Sequence, residues 1–155
     1  MFISVANNKI IGTDVMGYSE GGIDYPITNI EVSEEVYNSY IEDNDRYIYS
    51  DGAIVENPDY EEIKRQKEEE RVGELTMTAL DFITFLRQCG LTLEQIRAYL
   101  DNNIELDTQL KYCQNVYCRV AKAIMPITLG NITITPEMVE QAFKYKNGEL
   151  PDQLV

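Results

Sequence analysis

The sequence predicts an α+β fold: a small β-rich module first, a charged linking helix next, and a helical bundle with one short β hairpin last. In residues 1–57, short runs of alternating apolar and polar residues lie between Gly, Asn and Tyr, a pattern typical of strands. Residues 58–74 are rich in Glu, Lys and Arg, and residues 75–155 contain capped segments of helical periodicity. We therefore predict domains at 1–57, 58–74 and 75–155, with β structure dominating 1–56 and helix dominating 58–146.

Two hairpins and one helix are predicted in the first module. Asn7 and Asn8 form a tight turn between strands at 2–6 and 9–12, and residues 50–52 form the turn between strands at 46–49 and 53–56. An extended segment at 25–32 leads to Ser33, which is a good N-cap for a short helix. That helix has one apolar face. Its members are Val36, Tyr37, Tyr40 and Ile41. Gly17, Gly21 and Gly22 mark an irregular loop.

The charged segment predicts an exposed helix. Pro58 suits its first turn, and only Tyr60, Ile63 and Val72 can bury apolar surface. A coiled coil is not expected because no heptad seam is present. Gly73 weakens the end of this helix and is a candidate hinge.

The last module has the strongest helix signals. Thr78 and Thr92 begin capping boxes, and Gly90 ends the first helix. The apolar residues of that first helix are spaced for burial: Leu80, Phe82, Ile83, Phe85 and Leu86. A third helix is predicted from about 105 to 125, with one apolar stripe: Leu106, Leu110, Cys113, Tyr117, Val120, Ala121 and Ile124. Gly130 and Asn131 predict a hairpin over 127–134, and Thr135-Pro136 begins the last helix.

The charge distribution limits the classes of partner. The formal net charge is −14, and residues 1–57 carry eleven acidic side chains against two basic ones. Such a module repels phosphate backbones, so nucleic-acid binding is not expected. The charge serves either solubility or attraction to a basic protein surface. No apolar run approaches the ~20 residues of a membrane span, and no signal-peptide pattern is expected at the start.

Metal and catalytic chemistry have little support in the sequence. There are three cysteines and no histidine, so neither a zinc site nor a disulfide framework is expected, and Cys89, Cys113 and Cys118 are predicted to be buried. Asp101, Glu105 and Asp107 lack the spacing of a calcium loop and fit a solvated turn better. We expect no enzyme activity and no cofactor.

Tyrosine supplies the candidate binding residues. Eleven tyrosines and no tryptophan are present, and tyrosine is enriched at protein interfaces because it combines apolar area with a hydroxyl group. We assign Tyr40, Tyr47 and Tyr49 to a partner-binding face in the acidic module. The alternative is that they pack half-buried against strands.

A family resemblance adds a biological context. The segment Tyr-Ile-Tyr-Ser-Asp-Gly-Ala-Ile-Val-Glu-Asn-Pro-Asp-Tyr at 47–60, the charged run after it and Leu-Thr-Met-Thr at 75–78 resemble small tail-module proteins of phages and prophages of Gram-positive bacteria. Residues 91–95 and 112–118 are similar in style. The resemblance implies a non-enzymatic adaptor or assembly protein of the tail fibre or baseplate, which binds other tail proteins in the virion or in the host cytoplasm during assembly. The sequence is compatible with a homo-oligomer. The alternative is an acidic inhibitor of a host defence protein.

Overall fold

A computed structural model describes residues 1–14 and 26–150. It contains several small antiparallel sheets and a set of short helices, so the α+β fold predicted from the sequence is confirmed. The glycine-rich loop predicted around Gly17, Gly21 and Gly22 lies outside the described residues. The chain forms two compact units, Met1–Gln66 and Lys67–Val155, which we call unit 1 and unit 2.

Unit 1 begins with a three-stranded antiparallel sheet. Its strands are β1 (Phe2–Ala6), β2 (Lys9–Asp14) and β3 (Thr28–Glu31), in the order β2-β1-β3. Asn7 and Asn8 both have positive φ, as the predicted tight turn between β1 and β2 requires. The central strand supplies most of the buried side chains. Among them Ser4 is polar, and its hydroxyl donates to the Asn29 Oδ1 atom at 2.6 Å.

A helix and a hairpin complete unit 1. They are α1 (Glu34–Glu42), a single 3-10 turn at Asn44–Arg46, and the strands β4 (Tyr47–Ser50) and β5 (Ala53–Glu56). Ser33 caps α1 as predicted, because its hydroxyl accepts from the Val36 amide at 3.3 Å. Asp51 and Gly52 have positive φ and form the two-residue turn of the hairpin.

The charged segment forms α2 (Tyr60–Gly73), and the boundary between the two units falls inside it. Its residues 64–71 are all exposed, and Val72 is its one buried side chain. The prediction of an exposed helix is therefore confirmed. Its surface carries ion pairs: Arg65 donates to Glu62 at 2.7 Å, and Arg71 donates to Glu68 at 2.7 Å.

In the described part of unit 2, the end of α2, five further helices and two small antiparallel sheets pack around one apolar core. Its helices after α2 are α3 (Ala79–Gln88), α4 (Leu93–Leu100), α5 (Ile104–Tyr112), α6 (Cys118–Ala123) and α7 (Pro136–Lys146). Its strands are β6 (Thr76–Thr78), β7 (Asn115–Tyr117), β8 (Ile127–Leu129) and β9 (Ile132–Ile134), paired β6 with β7 and β8 with β9. Phe82 and Phe143 are fully buried in this core, with ring centroids 6.2 Å apart. The β8–β9 hairpin lies where it was predicted.

The predicted third helix at 105–125 is wrong. The chain instead forms α5, then β7, then α6. The helix stops at Cys113, and the Gln109 side chain accepts a hydrogen bond from the Tyr117 amide at 3.1 Å. Val116 is fully buried and pairs with Met77. A second sheet is therefore present in the helical part, in addition to the one hairpin that was predicted.

Two burial predictions are also wrong. Leu80 was expected on the buried face of α3, but it lies in the first turn and is 74% exposed. Cys113 was expected in the core, but it follows the end of α5 and is exposed. Cys118 is fully buried, and Cys89 is half-buried. Within residues 1–14 and 26–150, no helix is long and apolar enough to cross a membrane.

Candidate protein-binding surface

The apolar face of α1 is the first part of the candidate surface. We define the α1 face as Val36, Tyr37, Tyr40 and Ile41, which fall on one side of the helix. No residue of α1 is buried: the first three are half-buried, and Ile41 is 58% exposed. A nine-residue helix depends on packing for its stability, so a face that keeps this much apolar surface is suited to contact with another protein.

Hydrogen bonds fix the acidic loop that follows α1. Asp43 Oδ2 accepts from the Tyr60 hydroxyl at 2.9 Å, and the Asp45 carbonyl accepts from Asn57 Nδ2 at 2.9 Å. The hydrogen bond to Asp43 is the main reason why the pKa of Tyr60 is raised. Burial raises the pKa of Tyr40, and the charge of Asp45 adds to the effect. Both tyrosines therefore stay neutral at physiological pH and keep their hydroxyls as hydrogen-bond donors.

The β4–β5 hairpin is the second part of the candidate surface. Tyr47 is only 8% exposed and belongs to the core, whereas Tyr49 is half-buried. The opposite face of the hairpin carries Ile48 and Val55, which are cross-strand partners and are 36% and 39% exposed. We call this pair the hairpin face. Of the three tyrosines assigned from the sequence, Tyr40 and Tyr49 keep surface for a partner.

The electrostatics of unit 1 favour a basic partner. Residues 1–66 contain fourteen acidic side chains and four basic ones. Near the hairpin, Arg46 lies 3.8 Å from Glu56, and both side chains are well exposed, so this ion pair contributes little to stability. A negative field of this kind attracts basic surfaces over about one Debye length, which is roughly 10 Å at 0.1 M salt.

Unit 2 contains two grooves that the sequence did not indicate. One, of about 530 Å3, lies between α3 and α7, and its apolar lining includes Met77, Phe85, Met138 and Tyr145. The Lys146 ammonium group bridges the two helices by donating to Asp81 at 2.8 Å. The other, of about 640 Å3, lies along α4 and α5. Helical periodicity identifies apolar faces but not which helices lie side by side, so neither groove could be read from the sequence.

Two of the cysteines and one of the candidate carboxylates have structural roles. Burial raises the pKa of the Cys118 thiol to about 11, so it stays a neutral core group. Cys89 lines the α3–α7 groove, and burial raises its pKa as well. Asp107 accepts from the Lys111 ammonium at 2.7 Å. Across the described parts of the chain, no three His, Cys, Asp or Glu side chains are grouped closely enough to hold a metal ion.

The exposed surface of unit 1 combines three kinds of contact group. The α1 face and the hairpin face offer apolar area, the tyrosine hydroxyls offer hydrogen bonds, and the surrounding carboxylates offer attraction for cations. In comparisons of this chain with protein-family models, with curated proteins and with solved structures, no match was found.

Proposed function

We propose that this chain is a non-enzymatic adaptor or assembly protein of a phage tail or baseplate, which binds another tail protein through unit 1. The observation that carries the proposal is the α1 face, an amphipathic helix in which no residue is buried. The resemblance of residues 47–82 to phage tail modules supplies the biological setting. In that setting the chain works in the virion or in the host cytoplasm during assembly.

The acidic charge supports a partner with a basic surface. Carboxylates steer such a partner towards unit 1, and aromatic and aliphatic side chains then supply the contact area. Tyr40 and Ile41 are the central positions, because they lie together on the α1 face and keep accessible surface.

The test is a pull-down with the full chain as bait against the tail proteins encoded by neighbouring genes. We expect Tyr40→Ala and Ile41→Ser each to weaken capture by about tenfold, as is typical of central interface residues. Ile104→Ser is the matched control, because Ile104 is an isoleucine that is 82% exposed on a helix of unit 2. Raising the salt from 0.1 to 1 M should also weaken capture.

Two results would contradict the proposal. One is that no neighbouring tail protein is captured by the unmodified chain. The other is that Ile104→Ser, and neither unit 1 variant, reduces capture, which would move the binding surface to unit 2. Circular dichroism of each variant checks that the substitution has not unfolded the chain.

The same acidic charge favours a second function. A phage-encoded inhibitor could place unit 1 on a basic surface of a host defence protein, in place of the nucleic acid that this surface normally binds. Capture of such a protein, together with loss of its binding to DNA or RNA in a gel-shift assay, would favour the inhibitor. Capture of tail proteins alone favours the adaptor.

A further inference from the structure

The β4–β5 hairpin has an edge that a further strand can join. The Asn57 amide donates to the Arg46 carbonyl at 2.8 Å. In an antiparallel pair, hydrogen-bonded and non-hydrogen-bonded residue pairs alternate, so this bond identifies which residue pairs of the hairpin are hydrogen-bonded. By that alternation, the backbone N–H and C=O groups of Ile54 and Glu56 point away from β4. In the described chain, β4 is the one strand that pairs with β5. The outer side of β5 therefore presents two donors and two acceptors in the spacing of a β ladder.

The β6–β7 sheet of unit 2 shows how side chains of this protein hydrogen-bond to the exposed edge of a strand. In the β6–β7 pair, the outward carbonyl of Thr76 accepts from the Asn147 side-chain amide at 2.9 Å. On the other strand, the outward amide of Tyr117 donates to the Gln109 side chain at 3.1 Å. One outward group on each edge is thus paired with a side-chain amide, which hinders edge-to-edge pairing.

The edge of β5 lacks two of the devices that discourage pairing, although the strand is short and ends in a carboxylate. Its sequence, Ala53-Ile54-Val55-Glu56, contains neither a lysine nor a proline, and these are the residues that commonly protect exposed edges. Val55 and its cross-strand partner Ile48 are both exposed. A strand added beside β5 would cover Val55, so it would gain apolar contact as well as backbone hydrogen bonds.

We infer that β5 binds an extended segment of the partner, rich in lysine or arginine, as a third strand of the hairpin sheet. This inference rests on the proposed function, because it describes how the partner of unit 1 is held. Charge selects the occupant. Asp51 lies in the turn before β5, Glu56 is the last residue of β5, and Asp59 follows three residues later. A second copy of this chain would bring the same carboxylates against each other, whereas a basic segment would neutralise them.

The first test uses a defined probe with the full-length chain. A fluorescein-labelled peptide of alternating lysine and valine, seven residues long, is titrated and followed by fluorescence anisotropy. We expect binding by the Lys-Val peptide, no binding by a Glu-Val peptide of the same length, and slower hydrogen exchange of the Ile54 and Glu56 amides in the complex. N-methylation of alternate peptide amides removes the donors of one peptide edge, so the N-methylated Lys-Val peptide should bind at least fivefold more weakly.

The second test changes one backbone donor of the protein. Ile54→Pro removes the outward N–H of residue 54, and Ile54→Thr is the matched control because it shortens the side chain but keeps that N–H. We expect Ile54→Pro to weaken peptide binding at least fivefold relative to Ile54→Thr. Equal binding by the two variants, or equal binding by the N-methylated and unmodified peptides, would overturn the inference. The peptide comparison holds even if Ile54→Pro fails to fold.

The inference and the proposed function can fail separately. If tail proteins are captured equally by Ile54→Pro and Ile54→Thr, the edge inference is wrong and the adaptor function stands. If the Lys-Val peptide binds at β5 but no tail protein is captured, the edge inference stands and the adaptor function is wrong. Concentration-dependent dimers that Ile54→Pro abolishes, without peptide binding, would show that a second copy occupies the edge and would overturn the inference.

Discussion

Gly90 ends α3 in a conformation that few other residues can adopt. Its φ is +102°, the Leu91 amide donates to the Leu86 carbonyl at 3.2 Å, and the Gly90 amide donates to the Arg87 carbonyl at 2.9 Å. These two bonds form a Schellman motif, which favours glycine at this position. A Cβ atom there would also lie 3.0 Å from the Ile132 Cδ1 atom. The backbone conformation therefore favours glycine, and a Cβ would in addition crowd the end of the Ile132 side chain.

We predict that Gly90→Ala lowers the free energy of unfolding by about 1–2 kcal/mol, the cost of left-handed backbone for an L-residue. The matched control is Gly73→Ala at the end of α2, where a Cβ would meet Arg119 at an ordinary contact distance of 3.4 Å. Alanine favours helix, so this change should be neutral or stabilising by up to about 1 kcal/mol. Urea denaturation measures both, and equal effects would contradict the argument.

Glu140 lies between two lysines in unit 2. It accepts from the Lys122 ammonium at 2.6 Å and lies 2.9 Å from the Lys144 ammonium. The hydrogen bond from Lys122 is the main reason why the pKa of Glu140 is lowered. A carboxyl group whose pKa is lowered by folding stabilises the protein above its unfolded pKa, and this contribution is lost as the pH falls through its folded pKa.

Glu140→Gln should therefore lower the free energy of unfolding at pH 7, by no more than about 1 kcal/mol for a pair this accessible. The difference from the unmodified protein should shrink as the pH falls below the ordinary glutamate value of about 4.3. Glu70→Gln, an exposed change on α2, is the control and should leave stability unchanged at both pH values. A difference at Glu140 that persists undiminished at pH 3 would contradict the ion-pair explanation.

At the scale of elements, α2 makes several exposed ion pairs but buries only one apolar side chain, Val72. Arg71 donates to Glu68 and also to Glu149 at 2.6 Å, and Glu68 lies 3.8 Å from Lys144. The end of α7 positions Glu149, because the Glu149 amide donates to the Lys144 carbonyl at 2.9 Å and Gly148 takes a positive φ. Each exposed ion pair contributes little to stability, so we expect α2 to unfold locally more easily than a helix that is anchored in the core.

Hydrogen exchange should reveal this difference. We predict faster exchange for the amides of residues 64–71 than for those of α3, because α3 buries Phe82 and Leu86 whereas α2 buries only Val72. Exchange measured by mass spectrometry or NMR on the full chain gives both rates in one experiment. Comparably slow exchange across 64–71 would show that α2 is packed rather than exposed.

Elements defined by local chemistry could be predicted from the sequence. Thr78 and Thr92 accept hydrogen bonds from the amides three residues on, as their capping patterns indicated, and the turn at Gly130-Asn131 joins β8 to β9. The break between α5 and α6 could not be predicted, because Cys113, Tyr117 and Val120 keep helical spacing across it. Val116 instead pairs with the distant Met77. Long-range pairing overrides local periodicity there.

The candidate surface, like the helices and strands, could be predicted only in part. The amphipathic pattern of α1 indicated Tyr40 and Ile41, and composition indicated an acidic module. The burial of Tyr47 was not predictable. Tyr47 and Tyr49 are two residues apart and lie on the same face of β4, so only the surrounding fold decides which of them is covered. Within residues 1–14 and 26–150, β4 is the one strand that pairs with β5, and the resulting open edge is a property of topology rather than of sequence pattern.

At the scale of the whole molecule, the two units have separate cores of different size. Among the described residues of unit 1, the buried apolar ones are few: Ile3, Val5, Ala6, Ile27 and Tyr47. The core cluster of unit 2 holds fifteen buried residues, including Phe82 and Phe143. Because stability grows with the apolar area removed from water, unit 1 should be the less stable of the two.

We therefore predict that unit 1 unfolds at a lower urea concentration than unit 2. Seven of the eleven tyrosines lie in residues 1–66 and there is no tryptophan, so tyrosine fluorescence reports mainly on unit 1. Helix ellipticity at 222 nm reports mainly on unit 2, which holds most of the helices. Ile3→Ala should move only the fluorescence transition, and Phe82→Ala only the ellipticity transition. Each should lower the free energy of unfolding of its own unit by roughly 2–5 kcal/mol, because each leaves a cavity in one core. If both substitutions shift both transitions together, the two cores unfold as one cooperative unit. Binding through unit 1 alone depends on that unit being independently stable, so this result would refute that independence.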